Sequence, residues 1–339
     1  MRAGRFVWVI APLLLLVGAF VRTLRAEAPA VVWRMHSEIA SVLADKARAT
    51  PAADLVSAPV SSGAHHQINV VRRTKPQGAI AHNVGSEIHS IMEGSGTLVT
   101  DGTIVRPAGA ERGGGRIDGG VRRQVVKGDV VLVPPATPHW YEAIDGTITY
   151  LEIRFDVGAA KNAPAVFMKD TDLRKVLTER GAAANAPLMF SSPVTRGDKY
   201  QANVVRRTKA QGGGAHELGT EVHQILDGAG TLVVGGTIVR PAGSNGPATI
   251  DGGESRRVEP GDVIFIPANT PHWYKDVASG GISYLEVRFR PLDAVGARAW
   301  RSRPRVGSVS SRAFASRLAS SVGHRTRQRA GLGRRRRGR

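Results

Sequence analysis

The sequence predicts an all-β protein built from two similar barrels, or jelly rolls, in tandem. The main observation is an internal repeat, because the stretch A-H-N-V-G-S-E-I-H-S-I-M-E-G-S-G at 81–96 is written again at 215–230 as A-H-E-L-G-T-E-V-H-Q-I-L-D-G-A-G. Each copy continues as short apolar runs separated by Gly, Asp-Gly, Gly-Gly and Pro, the pattern of short strands joined by tight turns. The high glycine content (40 residues) and the low aromatic content (5%) favour such strands over a helical bundle.

Length and composition narrow the classes of site that the chain can carry. A chain of 339 residues is long enough for two domains, each with a core of its own. It contains no cysteine, which excludes disulfides, zinc–thiolate sites, iron–sulfur clusters and thiol nucleophiles. A bound metal would therefore need histidine and carboxylate ligands.

The N-terminal segment 1–30 is predicted to be an export signal. Arg2 and Arg5 precede an apolar run at 6–21, and small residues follow it, as in a cleaved secretory signal. The run is short for a membrane span, which needs about 20 residues. An uncleaved anchor is the alternative, because Pro29 would hinder cleavage. The expected location is secreted or periplasmic, with membrane contact only if the segment stays uncleaved.

Each repeat is predicted to start with a short helix, near 37–46 in the first copy and near 171–180 in the second. Ser37 and Thr171 are suitable N-cap residues, an acidic residue follows each of them, and apolar residues recur behind at helical spacing.

Glycine marks the predicted turns between the strands. Asp101-Gly102 and Gly235-Gly236 lie between apolar runs and are predicted to be two-residue hairpin turns. The glycine-rich segment 109–120 is predicted to be a loop. Gly128-Asp129 leads into an apolar run ended by proline, which predicts a buried strand at 130–133.

Each repeat closes with a strand of alternating character, at 150–155 and again at 284–289. In the first copy Glu152 and Arg154 alternate with apolar residues, and Glu286 and Arg288 do so in the second. These charged residues are predicted to form salt bridges on the outer face or between the barrels.

The repeated stretch also carries histidines and a carboxylate that would share one face of a strand. Alternate side chains of a strand point the same way, so Glu87 and His89 should lie together. His82 precedes them across a short turn, and His139 comes from a later strand. The full set of candidate metal ligands is His82, Glu87, His89 and His139, with the copies His216, Glu221, His223 and His272. Such donors suit one divalent transition metal per barrel, Mn, Fe, Ni, Cu or Zn.

The first stretch resembles the first motif of the cupin superfamily, in which two histidines flanking one residue are followed by a glutamate and, seven positions later, a glycine. Glu87 and Gly94 keep that interval, and His82 matches the second histidine of the pair. The first histidine of the pair is replaced by Ile80, and by Gly214 in the second copy. His89 and His223 either supply the missing imidazole or act as proton carriers in the pocket wall.

A later segment resembles the second cupin motif, a glycine, five residues, a proline and a histidine five further on. Gly128, Pro134 and His139 match it, as do their counterparts in the second copy. Tyr141 and Tyr274, two positions after the last histidine of each copy, are predicted to be barrel aromatics with hydrogen-bonded hydroxyls. The duplication resembles a bicupin.

The resemblance implies two double-stranded β-helix barrels at 33–156 and 167–290. It also implies a metal-dependent enzyme acting on a small organic substrate by dioxygenation, decarboxylation or isomerisation. The alternative is a non-catalytic cupin that binds or stores a small ligand.

The positive charge of the chain is concentrated after the second repeat. The formal net charge is +19, yet fifteen arginines and a single acidic residue, Asp293, lie from residue 290 onward. The segment 291–339 is predicted to be a disordered tail with, at most, weak contact to an anionic surface. Nucleic-acid binding is not favoured, because too few aromatic residues alternate with these arginines to stack on bases.

Overall fold

In the computed structural model, residues 30–109, 114–216, 219–242 and 246–291 are described. The predicted export signal and the arginine-rich tail lie outside the described residues, apart from Ala30 and Pro291 at their inner ends. No helix within the described ranges is both long and apolar enough to cross a membrane.

The all-β prediction is confirmed, since 54% of the described residues are in strands and 10% in helices. The first repeat contains β1 Val32–Arg34, α1 His36–Ala49, β2 Leu55–Ser62, β3 His66–Arg73, β4 Ser86–Thr100, β5 Thr103–Val105, β6 Arg116–Asp118, β7 Val121–Val126, β8 Val130–Val133 and β9 His139–Phe155. The second contains β10 Val166–Met168, α2 Asp170–Gly181, β11 Met189–Arg196, β12 Tyr200–Arg207, β13 Thr220–Val234, β14 Thr237–Val239, β15 Thr249–Asp251, β16 Glu254–Val258, β17 Val263–Ile266 and β18 His272–Phe289.

Two seven-stranded sheets have the same plan. In the first the order is β10-β8-β4-β9-β3-β2, with β7 paired to the far half of β4. In the second it is β1-β17-β13-β18-β12-β11, with β16 paired to β13. The long strands β4, β9, β13 and β18 run the length of each barrel and carry several register shifts, which bend them around the barrel.

The glycine of the first motif forms one of these bends. Gly94 has a φ of 75°, in the left-handed region that favours glycine. A Cβ at this position would collide with the carbonyl oxygen of Thr147 on the neighbouring strand β9. Gly228 has the same conformation and meets the carbonyl of Gly281. The motif requires glycine here because two backbones touch where the strand bends.

The two repeats exchange their first strands. The strand β1 begins the first repeat but pairs antiparallel with β17 of the second, with Val32 opposite Phe265. The strand β10 begins the second repeat and pairs with β8 of the first, with Val166 opposite Leu132. The limits 33–156 and 167–290 describe the repeat along the chain, whereas each sheet takes its edge strand from the other repeat.

The helices confirm the predicted elements, but the predicted caps at Ser37 and Thr171 are wrong. Both helices start earlier, after Met35 and Lys169, and neither of these residues makes a side-chain cap hydrogen bond. Carboxylates from strand-connecting turns bind the first helical amides instead. Asp262 Oδ1 accepts from the amide of His36 at 2.7 Å, and Asp129 Oδ1 accepts from the amide of Asp170 at 2.9 Å. Each cap comes from the opposite repeat, next to the exchanged strand.

The hairpin turns predicted at Asp101-Gly102 and Gly235-Gly236 are wrong. Thr100 pairs with Val121 of β7 and Thr103 with Asp118 of β6, so β4 and β5 run on in the same direction and do not pair with each other. Asp101 and Gly102, with positive φ values of 66° and 71°, interrupt the strand between β4 and β5 and twist it there. The predicted loop at 109–120 is wrong in part, because it contains β6. The buried strand predicted at 130–133 is confirmed as β8.

The sheets bury both faces, each against a different core. One large cluster joins the barrels and the helices, and in it Phe155 stacks on Phe289 with ring centroids 5.1 Å apart. Smaller clusters fill each barrel, around Tyr150 and Ile91 in the first. In β9, Leu151, Ile153 and Phe155 face the shared cluster, so their alternating neighbours face the barrel interior.

Candidate metal centres

Three segments bring the first candidate site together inside the first barrel. Glu87 and His89 lie on the interior face of β4, and His139 is the first residue of β9. The segment after β3 crosses the barrel end, where Ile80 forms a β-bridge with His139. The carbonyl of His82 also accepts a hydrogen bond from the amide of Ala136 at 2.6 Å, which fixes His82 over the site.

The carboxylate of Glu87 is the centre of this arrangement. His82 Nε2 lies 3.1 Å from Glu87 Oε1, and His139 Nε2 lies 3.2 Å from Glu87 Oε2. One ligand atom from each of these three residues lies within 4.8 Å of the others. The Glu87 side chain is 2% exposed and that of His82 is 20% exposed, so the carboxylate is buried below an imidazole at the rim.

The second ring nitrogen of His139 determines what faces the carboxylate. His139 Nδ1 lies 3.2 Å from the carbonyl oxygen of Thr137, which can only accept, so Nδ1 carries the proton. In the neutral ring Nε2 is then a bare lone pair directed at another acceptor, Glu87 Oε2. That carboxylate oxygen is buried and makes no hydrogen bond of good geometry to any described residue. Two facing acceptors need a proton or a metal cation between them, and a set of two imidazoles and one carboxylate fits a divalent transition metal.

His89 lies on the other side of the same carboxylate. Its Nε2 is 3.4 Å from Glu87 Oε2 and, like that oxygen, is buried without a hydrogen bond among the described residues. A second group of three, Glu87, His89 and Glu152, also has ligand atoms within 4.8 Å. The hydroxyl of Tyr141 lies 3.2 Å from His89 Nδ1, as expected for a barrel aromatic with a bonded hydroxyl.

The prediction that Glu152 and Arg154 form salt bridges outside the barrel is wrong. Both side chains face the barrel interior, because the apolar side of β9 packs on the core shared by the barrels. Arg154 contacts Glu87, donates to His82 Nε2 at 3.1 Å, and lies 3.4 Å from Glu152 Oε1. The predicted alternation is confirmed, but the inward and outward faces are the reverse of those predicted. In the sequence, only the matching Glu-x-Arg of the second repeat marks these residues.

A buried polar network continues below His89. Tyr141 stacks on Tyr150 at 5.2 Å, and the hydroxyl of Tyr150 accepts a hydrogen bond from Arg73 Nε at 2.8 Å. Burial raises the pKa of Tyr141 well above its ordinary value, and the neighbouring Tyr150 raises it further. These hydroxyls therefore stay protonated and orient His89.

The second barrel repeats the arrangement with a more open rim. His216 Nε2 lies 3.5 Å from Glu221 Oε1, and His272 Nε2 lies 3.7 Å from Glu221 Oε2. His223 Nε2 is 3.1 Å from Glu221 Oε2, and Tyr274 bonds its other nitrogen at 3.2 Å. The side chain of His216 is 43% exposed, about twice the exposure of its counterpart in the first barrel. The structure thus brings all eight predicted ligands into two clusters; their roles as metal ligands stay a prediction.

The electrostatics keep both carboxylates ionised. Burial alone would raise the pKa of Glu87, but the Arg154 guanidinium and the imidazoles of His82 and His139 outweigh burial and hold the pKa well below its ordinary value. In the second barrel burial is likewise outweighed, by the hydrogen bond from His223 and nearby positive charge, and the pKa of Glu221 falls to about 2. Each site therefore presents a carboxylate at neutral pH.

Burial also lowers the pKa of His272 to about 4, although the charge of Glu221 opposes this. His272 donates Nδ1–H to the carbonyl of Thr270 at 3.0 Å, so its Nε2 is a bare lone pair at neutral pH. A neutral imidazole with its other nitrogen held by a carbonyl is the usual form of a metal-binding histidine.

A surface cleft lies away from both sites. It has a volume of about 530 Å³ and is lined in part by Ser61, His66, Thr220 and Phe265, between the barrels. His66 stacks on Phe265 at 4.7 Å and bonds Ser61 Oγ at 2.9 Å. It has no counterpart in the second repeat, where Tyr200 occupies the same position. The titratable groups that recur in both repeats converge in the barrel interiors.

Comparison with solved structures places the chain beside two-barrel proteins. A single-residue variant of the salicylate 1,2-dioxygenase from Pseudoaminobacter salicylatoxidans is 13% identical, with a TM-score of 0.53 over 78% of this chain and 86% of that chain. The same variant in complex with gentisate gives a TM-score of 0.51 at 14% identity, over 78% and 84%. A cupin 2 conserved barrel domain protein from Leptotrichia buccalis is 13% identical, with a TM-score of 0.46 over 70% and 89%.

No protein-family model and no curated protein matches the sequence. The fold is nevertheless shown by the structural likeness, by the two motifs in each repeat and by the position of their residues inside each barrel. The chain has the cupin fold, with two barrels in one chain.

Proposed function

We propose that each barrel binds one divalent transition metal and that the chain uses it as an enzyme on a small organic acid. The observation that carries the proposal is the geometry around Glu87, where Nε2 of His139 lies 3.2 Å from a buried carboxylate oxygen that accepts no hydrogen bond from the described residues. His82 completes a set of two imidazoles and one carboxylate. That donor set, with open coordination positions, is typical of non-haem iron(II), which is therefore the first metal to test.

A bound metal would supply Lewis acidity, polarising an oxygen of the substrate. His82, Glu87 and His139 would hold it, and Thr137 would keep His139 in the required tautomer through its carbonyl. His89 stands next to Glu87 without being committed to a hydrogen bond at Nε2, so it can accept or return a proton at that atom. The buried Tyr141 hydroxyl fixes the ring in place.

The substrate class is proposed from the charge of the cavity and from the fold. Arg154 and Arg73 both lie in the barrel interior, where positive groups favour an anion. One of the solved structures with the same fold is a dioxygenase with bound gentisate, a small aromatic acid. Ring cleavage by dioxygen is therefore the first reaction to test, ahead of decarboxylation and isomerisation.

The test starts with metal content and proceeds to activity. Purified protein should hold about two iron ions per chain, one in each barrel. Glu87→Gln should hold about one and the double variant Glu87→Gln, Glu221→Gln none. Glu142→Gln is the matched control, because Glu142 pairs with Arg122 on the surface and should leave metal content unchanged.

Oxygen uptake by iron-loaded protein is then followed with small hydroxylated aromatic acids. Metal loss in the double variant together with loss of oxygen uptake supports the enzyme. Metal-free protein that still binds such an acid supports the non-catalytic ligand-binding alternative and contradicts the proposal.

We also propose that the chain is exported to the periplasm or outside the cell, on the basis of the charged start and apolar run at 6–21. Fusion of residues 1–30 to a reporter that is active only outside the cytoplasm tests this. An inactive fusion would contradict export. N-terminal sequencing of the exported product would distinguish a cleaved signal from an anchor.

A further inference from the structure

An arginine side chain lies inside each candidate metal centre, in contact with two of the candidate ligands. In the first barrel Arg154 donates through Nε to Glu87 Oε1 and through Nη2 to His82 Nε2, the latter at 3.1 Å. A guanidinium has only donors. His82 therefore accepts on its bare Nε2 lone pair, and Arg154 uses a lone pair from each of two candidate ligands.

In the second barrel the arginine keeps the hydrogen bond to the rim histidine and forms an ion pair, without a hydrogen bond, with the carboxylate. Arg288 Nη2 donates to His216 Nε2 at 2.9 Å, and Arg288 Nε lies 3.4 Å from Glu221 Oε1. Arg288 Nη2 is also 3.3 Å from Glu286 Oε1. Because the contact occurs in both repeats, it is a property of the duplicated site.

The surroundings make the arginine and a metal ion alternatives. The side chain of Arg154 is 16% exposed and that of Glu87 is 2% exposed, so solvent screens their charges weakly. Glu152 lies beside the guanidinium and gives it a second carboxylate partner. A divalent cation on Glu87 would repel the guanidinium bound to the same carboxylate and would need the His82 lone pair that Arg154 occupies.

We infer that Arg154 and Arg288 are built-in competitors of the metal, an inference that rests on the proposed metal sites. Metal binds only those molecules in which the guanidinium has left Glu87 and His82, so the apparent affinity falls in proportion to their fraction. The released guanidinium offers its paired N–H donors to a carboxylate anion. Metal and anion therefore strengthen each other's binding in the same barrel.

The experiment isolates the first barrel with Glu221→Gln and measures Mn²⁺ binding by titration calorimetry on chelator-stripped protein. In this background Arg154→Gln should bind Mn²⁺ about tenfold more tightly than the parent, as expected if the open form is a minor fraction. Arg154→Lys keeps the charge and should bind within a few-fold of the parent. Arg122→Gln removes an exposed arginine and is the control for net charge.

Acetate is the probe for the second half of the inference. It should raise the Mn²⁺ affinity of the parent by about fivefold or more, within the usual range of coupling, and should have no such effect on Arg154→Gln. Equal or weaker Mn²⁺ binding by Arg154→Gln, or an acetate effect that survives in it, overturns the inference. Absence of Mn²⁺ binding in the parent and in every variant instead overturns the proposed metal site, and the inference with it.

A measurement on the unmodified protein covers the case in which Arg154→Gln does not fold. The diamagnetic ion Zn²⁺ is added to chelator-stripped protein while the arginine Nε–H resonances are recorded by NMR. The Arg154 and Arg288 signals, assigned with the lysine variants, should shift as Zn²⁺ binds. Binding of Zn²⁺ with both signals unmoved overturns the competition.

Discussion

The stacked pair Phe155 and Phe289 provides a test of how strongly the two barrels stabilise each other. Phe155 is fully buried, its ring centroid lies 5.1 Å from that of Phe289 at an interplanar angle of 15°, and Tyr200 packs beside it at 5.4 Å. Truncation of a buried phenylalanine to alanine costs about 3–5 kcal/mol through lost burial and the remaining cavity. Phe155→Ala should therefore lower the free energy of unfolding by about that amount.

The stacking of the two rings on each other contributes less to the free energy of unfolding than their burial does, and the two contributions can be measured separately. Stacked rings contribute about 0.5–1.5 kcal/mol beyond the area that they bury. A double-mutant cycle of Phe155→Ala and Phe289→Ala, with the free energy of unfolding taken from urea denaturation, should give a coupling energy of that size. Phe155→Leu keeps most of the apolar volume and should cost less than Phe155→Ala.

The reasoning would be refuted by a loss below about 1 kcal/mol in Phe155→Ala, since that value is typical of a surface or loosely packed position. A purely additive cycle would refute it in a different way, because the two barrels would then not share a packed core at this point.

Three further outcomes are expected. Gly94→Ala should destabilise the fold by more than about 1 kcal/mol in thermal melts, because its Cβ would collide with Thr147; Gly109→Ala, at a φ of 79° in open space, is the control for backbone conformation alone. Asp262→Ala should cost about 1 kcal/mol through loss of the cap on α1, and amide exchange should rise in the first turn of that helix. Burial, helped by the charge of His65, lowers the pKa of His66 to about 4. The stabilising contribution of neutral His66 is therefore complete above pH 6.5 and is lost as the pH falls towards 4. His66→Gln should reduce the acid-induced loss of stability over that interval by about 2–3 kcal/mol, and an unchanged pH profile would contradict this.

The repeat made much of the fold and site predictable. Glu87 and His89 share a face because a strand has a period of two, and His139 follows a glycine and a proline at the spacing of a known motif. The structure confirms the β class and both helices, and it brings these residues into one cluster in each barrel.

The charged residues of β9 show where sequence reasoning failed. Period-two alternation indicates that Glu152 and Leu151 point in opposite directions but not which of them faces outward. That choice depended on the second barrel, which covers the outer side of β9 with an apolar surface. The sequence of one repeat holds no information about this surface, so Arg154 could not be placed beside Glu87.

Contacts between residues far apart in the chain could not be predicted from local sequence either. Ser37 is a residue type that commonly caps helices, but α1 already starts at His36, whose amide is bound by Asp262 from far along the chain. Asp101-Gly102 has the sequence of a hairpin turn, yet the flanking strands β4 and β5 pair with β7 and β6 and not with each other. In each case local propensity was outweighed by a contact that forms only in the complete fold.

The exchanged strands limit the order in which the chain can fold while it is being synthesised on the ribosome. Val32 emerges early, but its partner Phe265 is synthesised near the end, so β1 must wait unpaired while most of the protein is made. Meanwhile the open edge of β8 stays uncovered until Met168 arrives. A nascent chain stalled between these points exposes a bare strand edge to its neighbours on a polysome, where aggregation competes with completion.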